Sequence, residues 1–373
     1  MLQKYIEENT DLMYQMLKEL CAIPAPSHHE EKRAQYCKEW LENIGAEGVY
    51  IDDALNVIYP INCENSNQIT VFAAHTDTVF PDTEPMPYRE EDGKIFCPGV
   101  GDDTESVVAM LLSAKFLLEN NIVPEDGVLF VCNSCEEGLG NLKGTRQIFK
   151  DFEGRIKQFI SFDSRMYFAS DRCAGSHRYE VEVSTEGGHS YQAFGNENAI
   201  HAISKMVAEI YRLQVPEKEG SKTTYNVGSI SGGTSVNTIA QSAKMLCEYR
   251  SDDKACLAYM QEQFERIFEQ AKTDKVSVQV TMVGNRPCGD IEEEKMDRMR
   301  KIAAEAIESV IKQPLVFKCA STDCNIPLSM GIPAICVGTY MGGGTHTREE
   351  WIEKASMVPG LLVALKAVLA FSE

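Results

Sequence analysis

Three apolar runs, ITVFAA at 69–74, GVLFVCNS at 127–134 and QFISF at 158–162, constrain the fold of this chain more than any other feature. None shows the polar alternation of a strand with one wet face. Continuous apolar strands interleaved with helices predict an α/β sheet covered on both faces. The intervening helix is predicted in DDTESVVAMLLSAKFLLENN, capped by Asp103 or Thr104, with acidic residues in its first turn. Each run also ends on groups foreign to an apolar interior: His75 and Asp77, then Glu136 and Glu137, then Asp163.

Further helices are expected over residues 2–21 and in a segment ending at Gly45, with strand-like runs near 49–51 and 54–61. The pattern changes after about Cys173, where HRYEVEVSTEGG alternates with period two. The order of elements from there to VSVQVTMVG reads β-α-β-β-α-β, a ferredoxin-like unit of about a hundred residues. Beyond Pro287 the α/β pattern returns, with a helix near 294–311, strands in LVFKC and AICVG, and a last helix near 355–371. The expected organisation is a first part of a catalytic domain at 1–174, an inserted α+β unit at 175–286, and the second part at 287–373.

The 373 residues exceed the usual size of one hydrophobic core. A formal charge of −20, from 36 basic and 56 acidic side chains, disfavours nucleic acid and anionic lipid as partners. The first twenty residues are too charged for a signal peptide, and no run is read as the ~18 or more apolar residues of a membrane span. The 13 cysteines follow no framework, and reduced thiols in a cytoplasm are expected. Cys132 and Cys135 form a C-x-x-C that continues a strand rather than opening a helix, which argues against a redox role.

Open α/β sheets bind ligands at the carboxyl ends of their strands, where His75, Asp102, Glu136, Glu137 and Asp163 all fall. So many acidic and imidazole groups gathered there would repel one another and lose hydration, a penalty that one or two divalent cations remove. A set of His and carboxylate without thiolate suits Zn²⁺, with Co²⁺ or Mn²⁺ as alternatives. Taken singly, each residue has a plainer reading. His75 could be a satisfied loop histidine, Asp102 or Asp103 a helix cap, and the Glu136-Glu137 pair a solvated loop. Asp163 could close a turn with Ser164, and His346 could simply follow its glycine loop.

Together, HTDTV, PGVGDD, CEEGLGNLKGT, SFDS and GGTHTREEW, in that order, resemble the di-zinc exopeptidase and amidohydrolase family of peptidase T, carboxypeptidase G, aminoacylase-1 and succinyl-diaminopimelate desuccinylase. The likeness spans the chain and is nearest to peptidase T-like members. It implies a zinc-exopeptidase-like catalytic domain, with a mixed central sheet flanked by helices, and an inserted lid or dimerisation domain. It further implies two metal ions, one held by His75 and Asp163, the other by Glu137 and His346, with Asp102 bridging. Glu136 would be the general base, and Asp77 would accept a hydrogen bond from His75 and fix its tautomer.

In the inserted unit the resemblance assigns His189 to the oxyanion of a neighbouring subunit's site, and Asn237 and Arg250 to substrate binding. The expected protein is a cytoplasmic homodimer, an aminopeptidase of the tripeptidase kind acting on small peptides. An N-acyl amino acid deacylase or desuccinylase is the alternative, and a peptide-binding homologue without turnover a third. Two departures bear on the pocket: Thr104-Glu105 stands where the family often has Lys-Gly, and SYQAFGN follows His189 in place of a small-residue and proline pattern. Asp323, in CASTDCNIP, is expected to be a structural hydrogen-bonding residue.

Overall fold

The strands Ile69–His75, Gly127–Asn133 and Ile156–Phe162 form where the apolar runs predict them, and they pair in parallel with Ile69–His75 in the middle. Every residue of the first two is buried. Phe72 stacks between Phe130 and Phe162 on the flanking strands, at ring separations of 5.4 and 6.2 Å. In this computed structural model, which describes residues 1–289 and 291–372, the chain divides into two units, Met1–Cys173 with Ile291–Glu373, and Ala174–Asp290.

The first unit is built on an eight-stranded mixed sheet. Its order is Tyr50–Ile51, Val57–Ile61, Gly127–Asn133, Ile69–His75, Ile156–Phe162, Ala334–Val337, Phe168–Cys173 and Val316–Ala320. The four strands in the middle of that order are mutually parallel. Helices Glu105–Glu119 and Met357–Ser372 both pack on Ile69–His75 and on each other. A separate small antiparallel sheet joins Gly342–Gly343 and Trp351–Glu353 to Lys94–Phe96 and Arg89–Glu91. It ties the segment around His346 to the segment that leads into Asp102.

Two expectations need correction. Lys354–Ser372, with mean hydropathy 1.8, is long and apolar enough to cross a membrane by composition. Its apolar faces are instead consumed by packing against helices Leu2–Cys21, Glu105–Glu119 and Glu293–Ile311, which is why a core helix passes the same test as a span. The predicted helix cap also differs. Thr104 stands at the cap position of Glu105–Glu119, yet no side chain caps the helix. The Thr104 hydroxyl donates to the Gly99 carbonyl at 2.6 Å, and Asp103 Oδ2 accepts the His75 amide at 3.0 Å. Thr104 turns back to the preceding turn and Asp103 to the end of strand Ile69–His75, rather than to the helix's own amides.

Glu105 opens that helix fully buried, with Oε2 accepting the Thr339 hydroxyl at 2.6 Å and Oε1 without a partner. Burial pushes its carboxyl up from 4.5 to about 8. Between those values the unfolded chain has released this proton and the folded chain still holds it. The contribution to stability is therefore full at low pH and declines as pH rises, by about 1.4 kcal/mol per unit across the window. Glu105→Gln has no proton to lose, so its unfolding midpoint is expected to gain on the wild type from pH 5 to pH 8. Identical pH profiles for the two proteins would refute this.

The second unit carries strands Gly175–Thr185, Thr223–Gly232, Ser242–Ser251 and Val276–Arg286, with helices Ala199–Ile210 and Lys254–Gln270. Its sheet order places Thr223–Gly232 at one edge, then Ser242–Ser251, Gly175–Thr185 and Val276–Arg286, all antiparallel. Alternate residues of Gly175–Thr185 face a core that includes Ile203, Met206, Met260 and Phe264 from the two helices. Both helices begin on a side-chain cap: Asn198 accepts from the amides of Ile200 and His201, and Asp253 from that of Cys256.

Candidate metal centre

His75 is the last residue of its strand, Glu136 and Glu137 follow Gly127–Asn133, and Asp163 follows Ile156–Phe162. Adjacent parallel strands thus deliver these side chains to one end of the sheet. Asp102 comes from the turn ahead of helix Glu105–Glu119, and His346 from the loop between Gly342–Gly343 and Trp351–Glu353. Asp102 divides its two oxygens. Oδ1 lies 3.0 Å from His75 Nε2, and Oδ2 lies 3.1 Å from His346 Nε2. The same His346 nitrogen is 3.0 Å from Glu137 Oε1. Ligand atoms of His75, Asp102 and Glu137 all fall within 4.8 Å of one another, a grouping that could hold a metal ion.

The backbone around these residues is fastened by buried carboxylates. His75 Nδ1 meets the Asp77 carbonyl oxygen at 3.1 Å, with Asp77 Oδ1 further off at 3.4 Å. An Nδ1 proton directed at that carbonyl lets Nε2 give up its own proton and serve as a ligand when a metal replaces it. The Asp77 carboxylate mainly grips the next loop: Oδ1 accepts the Glu136 amide at 2.9 Å, and Oδ2 the Glu137 amide at 3.0 Å and the Ser27 hydroxyl at 2.6 Å. Beneath the site, the buried Arg33 donates to the carbonyls of Ile23 and Thr76 and to the Thr104 hydroxyl. Close approach also decides two glycines. Gly99 has φ +76°, and a Cβ on Gly101 would come within 2.6 Å of the Tyr340 ring.

The electrostatics describe a cluster with more negative charge than its surroundings can hold. Burial first, and the Asp102 charge second, push Glu137 up to about 7 and raise Asp163 well above the usual carboxylate range. Asp102 itself is held low: burial opposes ionisation, but hydrogen bonds to His346 and His75 overcome it. Those bonds to Asp102 and Glu137 lift His346 to about 10. Carboxylates driven towards protonation and imidazoles driven towards charge are what a set of ligands does when protons must balance it. Divalent cations balance it equally, and the donor set of carboxylate oxygens and imidazole nitrogens fits them.

The remaining candidates are placed as follows. Glu136 is buried beside Glu137. Asp323 is buried and accepts from the Thr145 hydroxyl and from Asn133 Nδ2, in line with a structural role. Cys135 faces His28 Nδ1 and Glu30 Oε1, and burial pushes its thiol up to about 12, the wrong direction for a redox thiolate. In the second unit, His189 and Asn237 come together: Gly188–His189 pairs with Thr238–Ile239, and Asn237 accepts the Ser190 amide at 3.0 Å. His189 is exposed, and its Nδ1 accepts the Tyr191 amide at 3.3 Å, which leaves the proton on Nε2. The Arg250 fork is engaged by Glu248, two residues back on its own strand, at 2.9 and 3.0 Å. Sequence reasoning missed Glu350, Ser27 and Arg33, whose roles lie in contacts with groups far along the chain.

The sequence profile of Peptidase family M20/M25/M40 matches residues 71–370. A succinyl-diaminopimelate desuccinylase of Corynebacterium glutamicum is 22% identical over 341 residues, covering 90% of each chain. Among solved structures, a tripeptidase of Staphylococcus aureus superposes with a TM-score of 0.75 at 20% identity, covering 97% of this chain and 99% of its own. The aminopeptidase PepT of Bacillus cereus gives 0.74 at 18% identity, covering 98% and 99%. At these identities the two structures establish a shared fold.

Proposed function

Because the chain belongs to Peptidase family M20/M25/M40 and is a metal-dependent hydrolase, we propose that it cleaves an amide bond of small peptides as an aminopeptidase of the tripeptidase kind. The observation that carries the reading is the division of the Asp102 oxygens between His75 on one side and His346 with Glu137 on the other. A carboxylate so placed can bridge two ions, with Asp163 completing the His75 side. Two divalent ions, Zn²⁺ or else Co²⁺ or Mn²⁺, would acidify a water and polarise the scissile carbonyl.

The chain's own groups do the rest. Glu136, its amide held by Asp77, takes the proton of the attacking water and passes it to the leaving amine. Asp77 orients His75 and fixes the loop that carries Glu136 and Glu137. His189, with its proton on Nε2, is a donor suited to a developing oxyanion. Asn237 is proposed to bind substrate. Arg250, whose Nε and Nη2 hold Glu248, is proposed to meet a substrate carboxylate through its remaining Nη protons.

We place the protein in the cytoplasm on its 13 free cysteines. A homodimer through the second unit is supported by the unpaired edge of strand Thr223–Gly232 and by Ile230 and Val236, which are 52% and 102% exposed. Sedimentation that finds only single chains would remove the dimer and any action of His189 across it.

The second reading, cleavage of an N-acyl amino acid, is favoured by the desuccinylase relative. Metal-loaded protein is expected to release the N-terminal residue from tripeptides and to leave N-acyl amino acids intact. Cleavage confined to N-acyl amino acids would replace the peptidase reading. Tight peptide binding without turnover would point to the third, a binding homologue.

A further inference from the structure

Glu350 lies four residues beyond His346, directly before the short strand Trp351–Glu353, and its side chain is buried. Oε1 accepts the amides of Gly101 at 3.0 Å and Asp102 at 2.9 Å, and Oε2 accepts that of Gly99 at 2.8 Å. Its own carbonyl takes the Cys97 amide at 3.2 Å. One residue therefore receives the amides of Cys97, Gly99, Gly101 and Asp102. Charge-assisted bonds of this kind are about twice as strong as neutral ones. Without them the buried amides of this turn would lose their partners.

We propose that Glu350 is a positioning residue, whose carboxylate locks the turn bearing Asp102 to the segment bearing His346 so that Asp102 can face both ion sites. The proposal rests on the metal-centre reading above. The geometry supplies the reason for a carboxylate in particular. Two acceptor oxygens serve three amides, while glycines at 99 and 101 keep the turn close to its neighbours. Glutamine at this position would present an NH₂ group to one of those amides and remove the charge. The acceptor set would be incomplete and the Asp102 backbone free to drift.

The test compares wild type with Glu350→Gln, titrating Co²⁺ by visible absorption and Zn²⁺ by calorimetry, and following kcat and KM on a tripeptide. Wild type is expected to bind two ions. Glu350→Gln is expected to bind at least one of them about 10–100-fold more weakly, with an altered Co²⁺ spectrum. Its kcat should fall over the same range, recover with excess metal, and leave KM little changed. Circular dichroism and the unfolding midpoint of the metal-free variant distinguish positioning from a general loss of folding, because ions that bind only the native state would also draw a destabilised chain back to it. Should Glu350→Gln fail to fold, Glu350→Asp, one methylene shorter, is measured in the same way. Wild type with two ions, and a folded variant with the same affinities, spectrum and kcat, overturns this proposal alone. Wild type that takes up no ions overturns the metal-centre reading and this proposal with it.

Discussion

Glu136→Gln is expected to retain its metal ions and to lose about 10²–10⁴-fold in kcat, the range spanned by general acid–base catalysis. The substitution keeps the shape of the side chain and the hydrogen bond from the backbone amide of residue 136 to Asp77 Oδ1, so the loop that carries Glu137 stays in place. What it removes is the proton acceptor. Rates on a tripeptide, measured beside metal content, separate this from loss of an ion. Wild-type kcat in a fully loaded Glu136→Gln protein would sink the assignment. Glu137, its neighbour, faces His346, and its replacement should instead show as weakened metal binding.

Removal of the metal is the second large effect. A chelated protein is expected to lose at least about 10³-fold in rate, since polarising the carbonyl and acidifying the water are together worth several kcal/mol. Zn²⁺ or Co²⁺ added back should restore it. Asp102→Asn is expected to resist that restoration. Its two oxygens face ring nitrogens on opposite sides at 3.0 and 3.1 Å, and an amide offers one acceptor oxygen where two are required. Activity that survives exhaustive chelation, or Asp102→Asn that reloads two ions with wild-type affinity, contradicts the bridging role.

These effects concern residues that the order of motifs already singled out, and the reason is physical. A run such as ITVFAA can lose water on both faces only inside a covered sheet, so His75 at its end stands out against its own background. The same contrast marks Glu136, Glu137 and Asp163. Glu350 offers no such contrast. It stands beside Glu349 in a polar stretch, and only the folded chain shows that Glu350 is buried on three amides while Glu349 pairs with Arg89 at the surface. Asp103 illustrates the opposite case. Local rules make it a helix cap, yet the His75 amide, distant in sequence, claims its carboxylate.

The amino-acid sequence by itself determined the buried strands, the helices between them and the ordered set of imidazoles and carboxylates that follow them. Those follow from hydrophobic patterning and from the chemistry of single side chains, which are local properties. Only the tertiary structure decided which oxygen of Asp102 faces which histidine, and that Asp77 grips the loop carrying Glu136 and Glu137. It alone showed that the apolar helix at the C-terminal end is core, and that Arg250 spends its fork on Glu248. Each of these depends on a direction in space or on a partner far along the chain, and neither is written in the composition or period of a segment.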